Sequence, residues 1–102
     1  MSDGKFGLAR STREKILSVI PGKPRVERVI LYGSRAMGNF KIGSDIDLTL
    51  AAPSLTTTDL LTIQTALDDL LLPYKIDLSL LHQIDNLGLL EHIRRVGTEF
   101  LA

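Results

Sequence analysis

The sequence predicts a mixed α+β domain in which helices pack on one small sheet. Three short runs of strand-like residues, near positions 26–32, 45–51 and 75–81, alternate with segments in which apolar residues recur at helical spacing. That alternation is typical of a layered α and β domain. With 102 residues the chain is long enough for one modest core, so we expect a single domain over residues 1–102.

Composition and charge exclude several classes of protein. Of the residues, 44% are apolar and 24% are charged, and twelve basic side chains balance twelve acidic ones, so we expect no direct nucleic-acid binding. The absence of cysteine excludes a disulfide framework and a thiolate metal site. No signal-peptide pattern appears at the start, and no run approaches the ~20 apolar residues that span a bilayer. We therefore expect a cytoplasmic protein with no membrane contact.

The first part of the chain predicts a helix followed by a buried strand. We expect residues 1–10 to form a loose, flexible lead-in. Ser11 and Glu14 match a capping box that begins a helix, which Pro21 then ends. Residues 29–32 are a near-continuous apolar run, as expected of a strand that is buried on both faces.

A glycine turn and a second strand follow. Residues 34–37 are predicted to form a short helix that ends at Gly38. Residues 45–51 alternate, with Asp45 and Asp47 on one face and apolar side chains on the other. A strand with this pattern has one polar face and one buried face.

The second half of the chain predicts helix, strand and helix. A leucine-rich helix with several possible N-caps covers about 56–72. Residues 75–81 alternate again, with Asp77 on the polar face. A last helix is capped near 85–86 and ends before Gly97, and no element is predicted beyond it.

Asp45 and Asp47 are the strongest candidates for a functional site. Because alternate residues of a strand share a face, these two carboxylates point the same way. If the strands at 45–51 and 75–81 are neighbours, Asp77 stands beside them, and carboxylates ~4 Å apart repel by about 1 kcal/mol per pair in water. A divalent cation removes that repulsion, and Mg²⁺ favours carboxylates together with phosphate oxygens. The acids therefore predict a magnesium site.

A glycine turn precedes the acids at a short distance. Ten residues separate Ser34 from Asp45, and a turn such as Gly33-Ser34 can bind phosphate through its backbone N–H groups. Each feature alone is weak, since aspartate is common in turns. In combination, the glycine turn, the paired acids and the third acid indicate metal-assisted chemistry on a nucleotide.

This combination resembles the signature of the nucleotidyltransferase superfamily related to DNA polymerase β. The strings Gly-Ser-Arg-Ala at 33–36 and Ser-Asp-Ile-Asp at 44–47 are similar to its minimal nucleotidyltransferase (MNT) branch. The resemblance implies the nucleotidyltransferase fold, a small mixed sheet flanked by helices. It also implies transfer of a nucleoside monophosphate from an NTP with release of pyrophosphate, two Mg²⁺ ions, and ATP as the nucleotide donor.

The resemblance also implies roles for individual residues. The residues implied as metal ligands and catalytic acids are Asp45, Asp47 and Asp77. The residues implied to bind the nucleotide phosphates are Gly33, Ser34 and Arg35. The third acid would help to deprotonate the acceptor hydroxyl, and the arginine would pair with phosphate oxygens. Met37 departs from the pattern, because many members have arginine there and methionine cannot neutralise phosphate charge.

The resemblance finally implies a protein partner. MNT proteins are antitoxins that pair with an all-helical HEPN-domain toxin, and they silence its RNase by transferring AMP to a tyrosine. We expect this chain to form such a hetero-oligomer, since it is too short for a second, substrate-binding domain. Two alternatives stay open: a non-catalytic nucleotide-binding partner subunit, and a small-molecule nucleotidyltransferase with a separate substrate-binding subunit.

Other polar residues are interpreted as structural. His82 and His92 lack the spacing of a metal site and are expected at the surface or in packing. Tyr32, directly before the glycine turn, is expected in the core.

Overall fold

The computed structural model describes residues 4–102 as a four-stranded sheet with helices on both faces. The elements in chain order are α1 (Arg10–Ser18), β1 (Arg28–Tyr32), α2 (Ser34–Met37), β2 (Ile46–Ala51), α3 (Thr57–Asp68), β3 (Ile76–Leu80), a 3-10 turn (Leu81–Gln83), α4 (Leu87–Val96) and β4 (Thr98–Glu99). This architecture confirms the predicted α+β class and the predicted order of elements as far as α4. Over residues 4–102, no helix has the length and apolar character needed to cross a bilayer.

The strand order places the second and third strands side by side. The order across the sheet is β3-β2-β1-β4, with β1 antiparallel to both of its neighbours. β2 and β3 are parallel, because α3 returns the chain to the end of the sheet at which β2 begins. Asp47 is therefore the register partner of Asp77. The condition on which the predicted acid cluster depended, adjacency of these two strands, is met.

Two apolar layers lie on opposite faces of the sheet. The larger layer packs α1 and α3 against alternate residues of the strands, including Leu48 of β2 and Leu78 of β3. The smaller layer lies between α4 and the β1 residues that include Tyr32. Asp47 and Asp77 alternate with residues of the larger layer, so they lie on the same face as Tyr32 and α4.

Two helices begin with the predicted capping chemistry. At α3 the Asp59 N–H donates to the Thr56 hydroxyl at 3.2 Å, and the Thr56 N–H donates to the Asp59 carboxylate at 2.9 Å. At α4 the Leu89 N–H donates to the Asn86 side-chain oxygen at 2.9 Å. These contacts set the residues at which α3 and α4 begin.

The lead-in is ordered over its described residues and changes where α1 begins. Lys5 and Leu8 exchange backbone hydrogen bonds of 3.1 and 2.9 Å, and Leu8 is fully buried. Residues 4–9, expected to be loose, therefore form a packed turn, while residues 1–3 lie outside the described part of the chain. α1 starts before Ser11 and has no side-chain cap, so the predicted capping box there is wrong.

The ends of two other segments also differ from the prediction. α3 ends at Asp68 rather than near Leu72, and Leu71 has a positive φ of 54°, which a right-handed helix does not allow. The tail adds β4 beside β1 and buries Phe100. A strand of two residues has too few positions to show an alternating pattern, so the sequence could not reveal it.

Candidate active site

One row of side chains crosses three adjacent strands on the face that α4 shares. Tyr32 of β1 is the register partner of Asp47 of β2, which is in turn the partner of Asp77 of β3. Neighbouring strands lie about 4.8 Å apart, so the two aspartates stand side by side. Thr49, two residues further along β2, is fully buried and ends the acidic patch toward the core. The acids therefore lie at the end of the sheet at which β2 and β3 begin.

Asp45 lies directly before β2 at the same end of the sheet. The Ile46 N–H donates to the Lys75 carbonyl at 2.9 Å, which ties the start of β2 to the residue before β3. Asp45 is exposed, whereas Asp47 is partly buried. The two acids thus differ in solvation although they are only two residues apart.

Burial and charge repulsion act together on Asp47. Desolvation raises the pKa of its carboxyl above the ordinary value, and the negative charges of Asp77 and then Asp45 raise it further. His92 and Lys75 oppose part of this rise in the pKa. All three predicted acids therefore contribute to one electrostatic site.

The donor set fits a hard divalent cation. Mg²⁺ is usually bound by one or two carboxylates with water and phosphate oxygens, not by an all-protein cage. Within residues 4–102, no three acidic or histidine side chains are gathered closely enough to hold a metal ion unaided. Asp47 with Asp77 or Asp45 would supply the carboxylate pair, and a cation there would offset both the burial and the charge repulsion that raise the pKa of Asp47.

Gly33 forms the turn between β1 and α2 in a conformation that favours glycine. Its φ is 76° and its ψ is −157°, and Ser34 begins α2 directly after it. A Cβ built on Gly33 would collide with Asp47 Oδ2 and would lie 3.3 Å from Asp47 Cγ. The glycine turn and the central acid therefore meet, and a side chain at position 33 would separate them.

His92 is a site residue that the sequence analysis missed. The Gly33 N–H donates to His92 Nε2 with 3.1 Å between the two nitrogens, and the His92 and Tyr32 rings meet edge to face at a centroid distance of 6.1 Å. The contact with Tyr32 agrees with the packing role expected of His92, but the hydrogen bond to Gly33 was not expected. Because its imidazole occupies the Gly33 amide, a phosphate must displace it or use other groups of the turn.

Tyr32 is buried, as predicted, but its hydroxyl also belongs to the acidic site. Burial raises the pKa of the phenol, the nearby Ser79 side chain lowers it in part, and the charges of Asp47 and Asp77 add to the rise. The phenol therefore stays neutral beside the acids. A tyrosine that ends an apolar run gives no sequence signal for this role, which only the strand register reveals.

Arg35 does not take the position expected of a phosphate ligand. It is 3% exposed, and its guanidinium donates to the Ser44 carbonyl from Nε at 3.1 Å and from Nη2 at 2.9 Å. Nη1 donates to the Phe6 carbonyl at 2.8 Å, and the rings of Phe40 and Tyr74 each lie 5.1 Å from the guanidinium. A guanidinium held in this way cannot reach a phosphate without breaking these contacts, so the structure does not support Arg35 as a phosphate ligand.

A cleft opens beside Asp77 at the outer side of the site. Its volume is ≈ 370 Å³, and its lining includes Asp77, Tyr74 and Lys75 together with Gln64 of α3. This volume lies in the ~300–1,000 Å³ range of small-ligand sites. The lining also includes Leu67 and Ile76 of the larger apolar layer, so the cleft opens between α3 and β3 and borders Asp77 from the face opposite to the one that Asp47 and Tyr32 share.

The chain matches one known protein family over most of its length. The family model described as polymerase beta, nucleotidyltransferase matches residues 14–101. The match includes the glycine turn and all three acids, and it begins after the lead-in turn. A comparison with curated proteins finds no significant match.

Solved structures share the fold at low sequence identity. A toxin–antitoxin complex with AMP-PNP matches with a TM-score of 0.67 and 22% identity, over 88% of this chain and 73% of that chain. A tri-AMPylated Shewanella oneidensis HEPN toxin in complex with MNT antitoxin matches with a TM-score of 0.66 and 19% identity, over 91% and 71%. A MntA–HepT toxin–antitoxin structure matches with a TM-score of 0.65 and 19% identity, over 91% and 72%. These likenesses confirm the predicted fold.

Proposed function

This chain belongs to the polymerase beta nucleotidyltransferase family, and from that membership we propose that it transfers AMP from ATP to a hydroxyl group of a partner protein. The observation that supports this activity most strongly is the pairing of Asp47 with Asp77 on adjacent parallel strands, beside the glycine turn. The repulsion between these neighbouring carboxylates raises the free energy of the metal-free protein. A divalent cation bound together with the triphosphate would relieve that repulsion.

The acids have separate tasks in this proposal. Asp45 and Asp47 hold Mg²⁺ together with the phosphates, and bound Mg²⁺ neutralises charge on the reacting phosphate group. Asp77 completes the carboxylate pair from the exposed outer strand, where it accepts the proton of the acceptor hydroxyl and passes it to solvent. The acceptor oxygen forms a bond to the α-phosphorus, the bond from that phosphorus to the bridging oxygen breaks, and pyrophosphate leaves.

The glycine turn positions the nucleotide in this proposal. Gly33 and Ser34 face the phosphates, as the family resemblance implies, with His92 leaving the Gly33 amide when the nucleotide binds. Glycine at position 33 is required for close approach, since any side chain there would meet Asp47. Neither Met37, which is about half exposed, nor the buried Arg35 supplies phosphate charge compensation, so the metal carries more of it.

We propose a HEPN-domain toxin as the acceptor, with a tyrosine hydroxyl as the modified group and silencing of the toxin as the result. The fold neighbours are toxin–antitoxin complexes, one with AMP-PNP and one with an AMPylated HEPN toxin. Asp77 is exposed on the outer strand β3, so a side chain from another protein can approach it. This chain would therefore act as an antitoxin.

Intact mass spectrometry of the partner tests the proposal. The purified chain is mixed with ATP, Mg²⁺ and the protein encoded by the adjoining gene, and added AMP units are expected on that protein. Asp47→Asn should abolish the addition, while Asp85→Asn, the same change at an exposed loop position, should leave it intact. Loss in both variants, or in neither, would contradict the assignment of the chemistry to Asp47.

The same mixture separates the alternative functions. If the two proteins co-purify and the partner is silenced with no mass added, the chain is a non-catalytic partner subunit. If AMP appears on a small hydroxyl compound such as an aminoglycoside but not on protein, the chain is the catalytic subunit of a small-molecule nucleotidyltransferase.

A further inference from the structure

Arg35 is buried in the middle of three separate segments of the chain. Its guanidinium bonds the Ser44 carbonyl through two nitrogens and the Phe6 carbonyl through a third. The rings of Phe40 and Tyr74 lie 5.1 Å from it. A buried guanidinium is stable only when its donors are satisfied, so these contacts hold the segments together.

The first of these segments is the turn that leads into Asp45. The Ser44 N–H donates to the Lys41 carbonyl at 3.0 Å, and the Lys41 N–H donates to the Ser44 hydroxyl at 2.8 Å. Gly43 allows this turn with a φ of 84°. Arg35 holds the carbonyl of Ser44, which is the group that precedes the Asp45 amide, and therefore fixes the start of Asp45 from the buried side.

The second segment is the lead-in turn at residues 5–8. Its ends are joined by the Lys5–Leu8 backbone pair, the buried Arg13 donates to the Leu8 carbonyl, and Phe6 stacks on Phe100 at a centroid distance of 5.9 Å. This turn lies outside residues 14–101, to which the family match extends. It is nevertheless tied to the candidate active site through one arginine.

We propose that Arg35 and the lead-in turn form a positioning device that sets the location of Asp45. Arg35 is a positioning residue in this proposal and touches neither nucleotide nor metal. The proposal deepens the proposed function, on which its Mg²⁺ measurements rest, whereas its exchange measurement is independent of any activity.

Gly7 gives a way to disturb the device from outside the site. A Cβ on Gly7 would collide with the Phe40 ring and would lie 2.9 Å from Arg35 Nη1, so Gly7→Ala must disturb the packing of Phe40 and the lead-in turn around Arg35. Gly38→Ala is the matched control, because Gly38 has a similar φ of 83° against 73° for Gly7, yet its Cβ would meet nothing within 4 Å. Arg35→Lys keeps the charge, loses the forked contact and carries the same test should Gly7→Ala fail to fold.

Amide hydrogen exchange followed by NMR tests the positioning directly. Gly7→Ala and Arg35→Lys should speed exchange at the Lys41 and Ser44 amides by about tenfold or more, the loss expected for a hydrogen bond to a charged group. Exchange at Leu89, whose amide is held by Asn86 on α4, should stay at the wild-type rate. Unchanged exchange at Lys41 and Ser44, or equal acceleration at Leu89, would overturn the proposal.

Magnesium dependence separates positioning from direct phosphate binding. If Asp45 is misplaced, the Mg²⁺ concentration that half-saturates the NMR shift of the Asp45 amide should rise by about tenfold in both variants, and the KM for ATP at saturating Mg²⁺ should stay constant. A raised KM for ATP with unchanged Mg²⁺ dependence and unchanged exchange would assign Arg35 to the phosphates instead. A wild-type chain that transfers no AMP would refute the proposed function, while the exchange result would still decide the role of Arg35.

Discussion

Gly33→Ala is the substitution for which the structure makes the sharpest prediction. Gly33 has a φ of 76° and a ψ of −157°, a region that residues with a Cβ populate only at a cost of ~1–3 kcal/mol. The new Cβ would also collide with Asp47 Oδ2. Moving the Asp47 side chain off its rotamer costs a further ~0.5–1.5 kcal/mol. The expected loss in the free energy of unfolding is therefore about 1.5–4.5 kcal/mol.

Gly38→Ala provides the control for backbone strain. Gly38 ends the same helix, α2, with a φ of 83° and a ψ of 6°, and its Cβ would meet no other atom within 4 Å. Its cost should be only the ~1–2 kcal/mol of a left-handed residue. The difference between the two variants then contains the contact with Asp47 and the greater backbone strain at Gly33, whose ψ of −157° residues with a Cβ rarely adopt at positive φ.

Thermal unfolding and nucleotide binding together check this prediction. For a domain of this size each kcal/mol lowers the Tm by roughly 4–8 °C, so Gly33→Ala should melt well below Gly38→Ala. It should also lose affinity for Mg²⁺ with AMP-PNP, whereas Gly38→Ala should not. Equal destabilisation by the two variants, with nucleotide affinity retained in both, would refute the close packing of turn and acid.

Three further predictions follow from the site and the fold. Asp47→Asn should stabilise the metal-free protein at pH 7 by on the order of 1 kcal/mol, because folding raises the pKa of this carboxyl and so disfavours its charged form. Unfolding measured in EDTA should show the full gain in stability above the raised pKa of the folded state, and no gain below the ordinary pKa of an aspartate. His92→Phe should cost ~1–3 kcal/mol in urea unfolding, since it leaves the partly buried Gly33 N–H without its acceptor, and His92→Gln should recover part of that loss. Thr56→Ala should cost ~0.5–2 kcal/mol of stability by removing the α3 cap, with AMP transfer at saturating substrate unchanged.

The features that the sequence revealed are those recorded in local patterns. Alternation located β2 and β3, helical spacing located α3, and the spacing from Gly33 to Asp45 located the turn and the acids. The caps at Thr56 and Asn86 were also visible, because a capping side chain acts on an amide only three residues away. Such features require no knowledge of how distant segments pack.

The features that the sequence did not reveal depend on contacts between distant segments. His92 reaches Gly33 across 59 positions in sequence, and only the packing of α4 against β1 brings them together. Arg35 bonds backbone carbonyls, and any residue type supplies a carbonyl, so its partners leave no signature. The capping pattern at Ser11 was misleading because burial of Leu8 starts α1 earlier than the local signal predicts.

Isothermal titration calorimetry with Mg²⁺ and AMP-PNP tests the central claim, that acids on two adjacent strands bind metal and nucleotide together. The wild-type chain should release or absorb heat only when Mg²⁺ and AMP-PNP are both present. Asp77→Asn should lose most of that binding, and Asp85→Asn, at an exposed loop position, should bind as the wild type does. Nucleotide binding that is the same in EDTA, or the same in Asp77→Asn, would contradict the account.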